Sequence, residues 1–208
     1  MRYLKTVGLV AVAAAALTAF AGAGSASATV LCSTTAEPCP EAQKWPNSAL
    51  DFSVPSGSSF LWENAGEVLE TCKNVTINSE MLSPGSASTT VVTKNKTITW
   101  NNCNVPNQTV ALGGLEIHKI AGTSNGTVTA SEDVSWTINT VFFGSCVYAW
   151  KKGKQFGELT EGKPAVLHVN STVEKVSGSN FACPETGTLV GTMTLTSPAE
   201  TTLSVESS

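Results

Sequence analysis

The chain has 208 residues, a formal charge of −4 and only 13% charged residues, with 41% hydrophobic residues and six cysteines. That composition excludes a disordered tail, a collagen-like fibre and a very small disulfide knot. It suits one medium-sized domain with its own core.

Residues 1–28 read as an export signal. Arg2 and Lys5 form a short positive region, an Ala/Val/Leu-rich run follows over residues 7–21, and Ala26-Ser27-Ala28 fits the small-x-small rule for signal peptidase. The apolar run is short for an uncleaved anchor, and Thr29-Val30-Leu31 lacks the small residue a lipoprotein needs before Cys32. Cleavage after Ala28 leaves a single domain, residues 29–208, with a Cys/Pro-containing N-terminal segment. No later apolar run approaches 18 residues, so no membrane span is expected. Loss of Arg2 and Lys5 leaves ten lysines and no arginine against sixteen acids, a net charge of −6. An arginine-free acidic chain is poorly suited to phosphate and base-edge recognition, so nucleic acid is not expected as a partner. Lys151-Lys152-Gly153-Lys154 reads as a solvated turn.

All six cysteines (Cys32, Cys39, Cys72, Cys103, Cys146 and Cys183) follow the signal, and an even number in an exported chain points to disulfides. Zinc is disfavoured, because there is no Cys-x-x-Cys pair and neither His118 nor His168 lies near a cysteine. Fifteen connectivities are possible. Strand placement and loop arithmetic favour the sequential one, Cys32–Cys39, Cys72–Cys103 and Cys146–Cys183. It closes loops of about 8, 32 and 38 residues, each worth roughly 2.5 to 4 kcal/mol on a chain-entropy estimate.

From residue 51 onward Thr, Val, Ser and Ile dominate, and apolar residues repeat with period 2. Ile98 and Trp100, then Val134, Trp136 and Ile138, then Leu189, Met193 and Leu195, and finally Leu203 and Val205 each share one parity. Turn signals fall at Pro55-Ser56-Gly57, Pro84-Gly85-Ser86, Lys94-Asn95-Lys96, Asn125-Gly126, Lys152-Gly153, Ser177-Gly178-Ser179 and Pro184-Glu185-Thr186-Gly187. Asn125-Gly126 reads as a tight hairpin turn. Residues 63–69 could carry a short helix, against which Gly66 argues. The reading is an all-β fold, an antiparallel sandwich or barrel of about ten to twelve strands stapled by disulfides.

The Ala-rich signal, the Thr-rich β body with two widely spaced cysteine pairs, Gly144-Ser145-Cys146-Val147-Tyr148, Cys183-Pro184 and the run Gly191-Thr192-Met193-Thr194-Leu195-Thr196-Ser197-Pro198 carry a resemblance. From about Leu69 to the C-terminus the chain resembles a group of uncharacterised exported proteins of high-GC Gram-positive bacteria. The resemblance implies export and an all-β fold, and it implies no catalytic residue.

Gly122-Thr123-Ser124-Asn125-Gly126 matches Gly-x-Ser-x-Gly, but a nucleophile elbow needs a strand before it and a helix after it, and both flanks here read as strand. His118 and His168 lack a local acid and nucleophile signature and read as ordinary strand residues. The carboxylate clusters Glu63/Glu67/Glu70, Glu132/Asp133 and Glu158/Glu161 read as solvated acids near turns, without the loop spacing calcium requires. Five Asn-x-Ser/Thr sequons, at Asn74, Asn95, Asn107, Asn125 and Asn170, barely exceed chance. No catalytic, metal or cofactor residue is assigned, and the only site residues named are the six disulfide cysteines. The leading reading is a secreted, extracellular or cell-surface-associated, non-enzymatic module, with cell-surface or polysaccharide contact as its partner class. A carbohydrate-binding module and a secreted hydrolase with a dispersed site are the competitors. Parity puts Trp100 and Trp136 in the core, which leaves Trp45, Trp62 and Trp150 for any sugar platform.

Overall fold

The computed structural model describes residues 28–46, 48–198 and 201–208, so the predicted signal lies outside the described residues apart from Ala28. Among them run fourteen strands. The first seven are β1 (Thr29–Cys32), β2 (Asp51–Ser53), β3 (Phe60–Asn64), β4 (Glu67–Ser86), β5 (Thr89–Cys103), β6 (Asn107–Ala111) and β7 (Gly114–Lys119). They are followed by β8 (Gly126–Glu132), β9 (Val134–Thr140), β10 (Gly144–Trp150), β11 (Gln155–Thr160), β12 (Val166–Lys175), β13 (Thr186–Ser197) and β14 (Ser204–Ser207). The helical content among the described residues is one 3-10 turn, Glu41–Gln43. No helix there is long and apolar enough to cross a membrane.

Eight strands close an antiparallel barrel in the order β3-β4-β5-β7-β8-β11-β12-β13, with β13 pairing back onto β3. Closure removes the unpaired edges that an open sheet of this length would expose. The fold is therefore all-β and antiparallel, a barrel rather than a sandwich. β12 shows how pattern becomes wall: Leu167, Val169, Ser171 and Val173 are buried, while His168, Asn170 and Thr172 between them are exposed.

Six strands lie outside the barrel. β2 bridges β13 and β4, and β1 is held between β14 and the end of β4. β12 passes its far end to β10, which continues the sheet through β9 to β6. This three-stranded extension turns back against the barrel, where Trp100 Nε1 of β5 donates to Thr109 Oγ1 of β6 at 3.1 Å, and that hydroxyl donates to Ile98 O at 3.0 Å. Both faces of the extension are covered at the end away from the β9–β10 hairpin, so Val134-Ser135-Trp136 and Tyr148-Ala149-Trp150 are buried consecutively and alternation fails there.

The strand count exceeds the ten to twelve expected in part because β1 and β2 have only four and three residues, too few to show a period. Residues 63–69 form no helix: β3 and β4 meet in a hairpin at Ala65-Gly66. The turn expected at Lys94-Asn95-Lys96 is continuous β5 strand. Asn95 faces inward there, accepting from Ser79 Oγ at 2.8 Å and donating to Leu112 O at 2.7 Å, so its turn propensity is overridden by a buried polar pair. Pro84-Gly85-Ser86 also stays in strand, with the turn following at Ala87-Ser88. Gly85 is needed because β1 crosses so closely that a Cβ would lie 1.8 Å from Thr29 O. The β7–β8 turn occupies residues 121–124, one step before Asn125-Gly126. Gly126 begins β8, where a Cβ would press on Ile117 and Val205 at 2.8 and 3.0 Å.

Candidate functional site

The sequence-level candidates are dispersed. His118 sits on β7 with Nε2 3.6 Å from Glu116 Oε1. His168 faces solvent on β12 opposite Glu158, and β8 and β11 stand between the two histidine strands. Ser124, the centre of the Gly-x-Ser-x-Gly match, lies in the β7–β8 loop and receives Val205 N on its carbonyl at 2.9 Å, which ties the loop to β14. Asp133 accepts from Lys152 N at 2.8 Å and Lys151 Nζ at 2.9 Å. Those bonds, the Lys152 backbone bond foremost, hold its carboxyl below the usual range. The lysine cluster is thus a turn organised on Asp133. A surface depression of about 560 Å³ lined by Asp51, Ser79, Glu80, Met81 and Lys96 is open to solvent, and its Glu80 and Lys96 pair with each other. The sequon asparagine Asn95 is buried, which leaves no room for a glycan.

The tryptophans line the interior. Phe60, Trp100, Trp136, Trp150 and Phe156 form a continuous row with successive centroids 6.1, 5.6, 4.8 and 4.4 Å apart, and Trp62 meets Tyr148 at 4.8 Å. Trp136 is core as its parity predicts, and Trp100 is half-buried against the same cluster. Trp45, Trp62 and Trp150, the remaining candidates for an exposed platform, are buried too. Trp62 lies in the all-apolar run Phe60-Leu61-Trp62, which shows no parity in sequence, and Trp150 shares the parity of buried Cys146 and Tyr148 but adjoins Lys151-Lys152, which makes it look like a rim residue.

Two acids are buried among the described residues: Glu70, which sequence reasoning places among solvated acids near a turn, and Glu206, which it does not single out. Glu70 belongs to β4 but points inward beside the Cys72–Cys103 disulfide, with Oε1 3.4 Å from Cys72 Sγ. Burial pushes its carboxyl up to about 7, opposed in part by a hydrogen bond from Asn107. Glu70, Cys72 and Cys103 lie close enough to suggest a metal cluster, but both sulfurs are in the disulfide and offer no thiolate. The second acid, Glu206 of β14, pairs with buried Lys119 of β7 at 2.9 Å, and Lys119 also reaches Glu37 at 3.2 Å. Glu37 lies in the loop closed by Cys32–Cys39, so this ion cluster pins the N-terminal segment and the C-terminal strand to the barrel.

The third disulfide builds the most distinctive surface. Cys146 in β10 bonds Cys183 in the β12–β13 loop, drawing residues 180–183 alongside the β9–β10 hairpin. Asn180 N donates to Ser145 O at 2.9 Å, and Ser179 Oγ donates to Val147 O at 2.8 Å. Tyr148, whose hydroxyl donates to Pro184 O at 2.9 Å, is raised to about 12 by burial and then by Glu185. From this doubly anchored platform Val141, Phe142 and Phe181 project almost wholly into solvent, at 90, 89 and 94% exposure. The Cys72–Cys103 bridge lies toward the same end, since Asn107 at the start of β6 contacts both its sulfurs and pairs with Ile138 near the end of β9. No family model, curated protein or solved structure matches the chain.

Proposed function

We propose that the protein is an exported, non-enzymatic barrel that acts outside the cell as a surface or binding module, through its disulfide-stapled end. The observation that carries this reading is the combination found there. Cys146–Cys183 fixes the β12–β13 loop against β10, Cys72–Cys103 lies in the wall at the same end, and the loops there hold three apolar side chains in water. All six cysteines are disulfide-bonded, which suits an oxidising compartment. An interior occupied by a row of aromatic rings leaves recognition to the outer surface. A sugar platform built on tryptophans has no support, because the rings that would form it are packed inside.

Expression of the full chain in a Gram-positive host tests the reading. The expected product is found in the medium, begins at Thr29 and, without reduction, reacts with no thiol reagent. Full-length protein retained in the cytoplasm with free thiols would overturn it. So would saturable hydrolysis of ester or polysaccharide substrates that is lost on His118→Ala or His168→Ala.

A further inference from the structure

We infer that the loop end bearing Val141, Phe142 and Phe181 is a lipid-docking tip, which inserts shallowly into a surface of neutral headgroups and acyl chains. The inference rests on the extracellular reading above and adds the partner. Four features of this end converge on lipid.

The first is charge. Residues 134–150 and 176–184 contain no charged side chain, and the flanking Lys175 is neutralised by Glu185. Charge is costly at membrane depth, so an uncharged run around exposed aromatics matches a bilayer interface. The second is the backbone, which in lipid must find its partners within the protein. Phe143 N donates to Thr140 Oγ1 at 2.9 Å, Ala182 N to Asn180 Oδ1 at 3.0 Å and Cys183 N to Asn180 O at 3.1 Å. The residues that follow the projecting side chains are thus bonded within the tip.

Area is the third. Two phenylalanines and a valine offer roughly 400–500 Å² of apolar side chain, well below the about 800 Å² per partner of a stable protein interface. Shallow insertion needs no such area. Rigidity is the fourth: Cys146–Cys183 holds the two loops together before any partner arrives, so little ordering entropy is lost on docking. The acids Glu63 and Glu67 lie on the adjoining β3–β4 hairpin, held to the β13 start by Asn64 Nδ2 donating to Thr186 O at 2.7 Å. They disfavour an anionic surface and select neutral headgroups.

Flotation of the disulfide-intact secreted protein with phosphatidylcholine vesicles tests the inference. Wild type should float with the vesicles equally at low and high salt. Phe142→Ser/Phe181→Ser should lose at least about tenfold in partitioning, with unchanged circular dichroism and melting. Val110→Ser, an exposed apolar residue on β6 outside the tip, should bind like wild type. Absence of vesicle binding by wild type, or undiminished binding by the double variant, would overturn the proposal. Binding confined to anionic vesicles and abolished by salt would also overturn it, as would a tip-dependent dimer without vesicle binding. A secreted, fully oxidised protein that ignores vesicles defeats the lipid inference alone. A chain retained inside with free thiols defeats the extracellular reading whatever the vesicles show.

Discussion

The two long-range disulfides close chain separations of similar length, 31 and 37 residues, in different mechanical settings. Cys72–Cys103 ties β4 to β5 within the barrel wall, between strands that are already paired from Cys72↔Cys103 to Ser86↔Thr89. Cys146–Cys183 ties a strand of the extension to a loop held otherwise by a handful of backbone and hydroxyl bonds. In the unfolded chain the two constraints are equivalent. In the native state one duplicates a ladder and the other substitutes for one. A covalent bond therefore fixes the loop geometry that sequence-local propensity could not hold.

The largest expected effects test that contrast directly. Replacing either pair by alanines should cost about 4 kcal/mol of global stability on the loop-entropy estimate, read as a denaturant midpoint shift. Only the Cys146→Ala/Cys183→Ala protein should gain fast native-state proteolysis within residues 176–185, because its loop opens locally. Equal protease resistance in the two variants would remove the distinction between wall and staple.

A smaller effect sharpens the account of the wall. Glu70 is held at about 7 against an ordinary 4.5, so between those pH values the native protein keeps a proton that the unfolded chain has released. Stability attributable to this group is thus highest below about pH 4.5, falls as pH rises and levels off above about 7, a difference of about 3 kcal/mol. Glu70→Gln should abolish that slope and stabilise the protein above pH 7, with little change near pH 4. Urea unfolding across the range measures it, and an unaltered slope would place the titration elsewhere. The smallest effect belongs to the tip: Phe142→Ser should move stability by no more than about 0.5 kcal/mol, since its ring touches water rather than core. A larger loss would mean that the ring packs in solution.

Particular residues show how far the sequence could be read. The parity of Val134, Trp136 and Ile138 located a buried face because period 2 is a local property of an extended backbone. Cysteine order and spacing ranked one connectivity above fourteen others, and the same three pairs bond in the structure. Asn95 misled because its turn propensity is worth less than a buried bond to Ser79, sixteen residues away. Glu70 misled because parity said which way it pointed only once the barrel had an inside.

The sequence by itself determined an all-β, antiparallel, disulfide-bonded chain, since alternation, turn chemistry and cysteine number are written in neighbouring residues. Tertiary structure decided the rest. Closure of β13 onto β3, the return of β9 and β10 against the barrel, the burial of Trp62 and Trp150 and the projection of Phe142 and Phe181 all depend on which distant strands meet. A phenylalanine in a core row and one at a loop tip are the same residue to local propensity, and only the packing around each decides which one meets water.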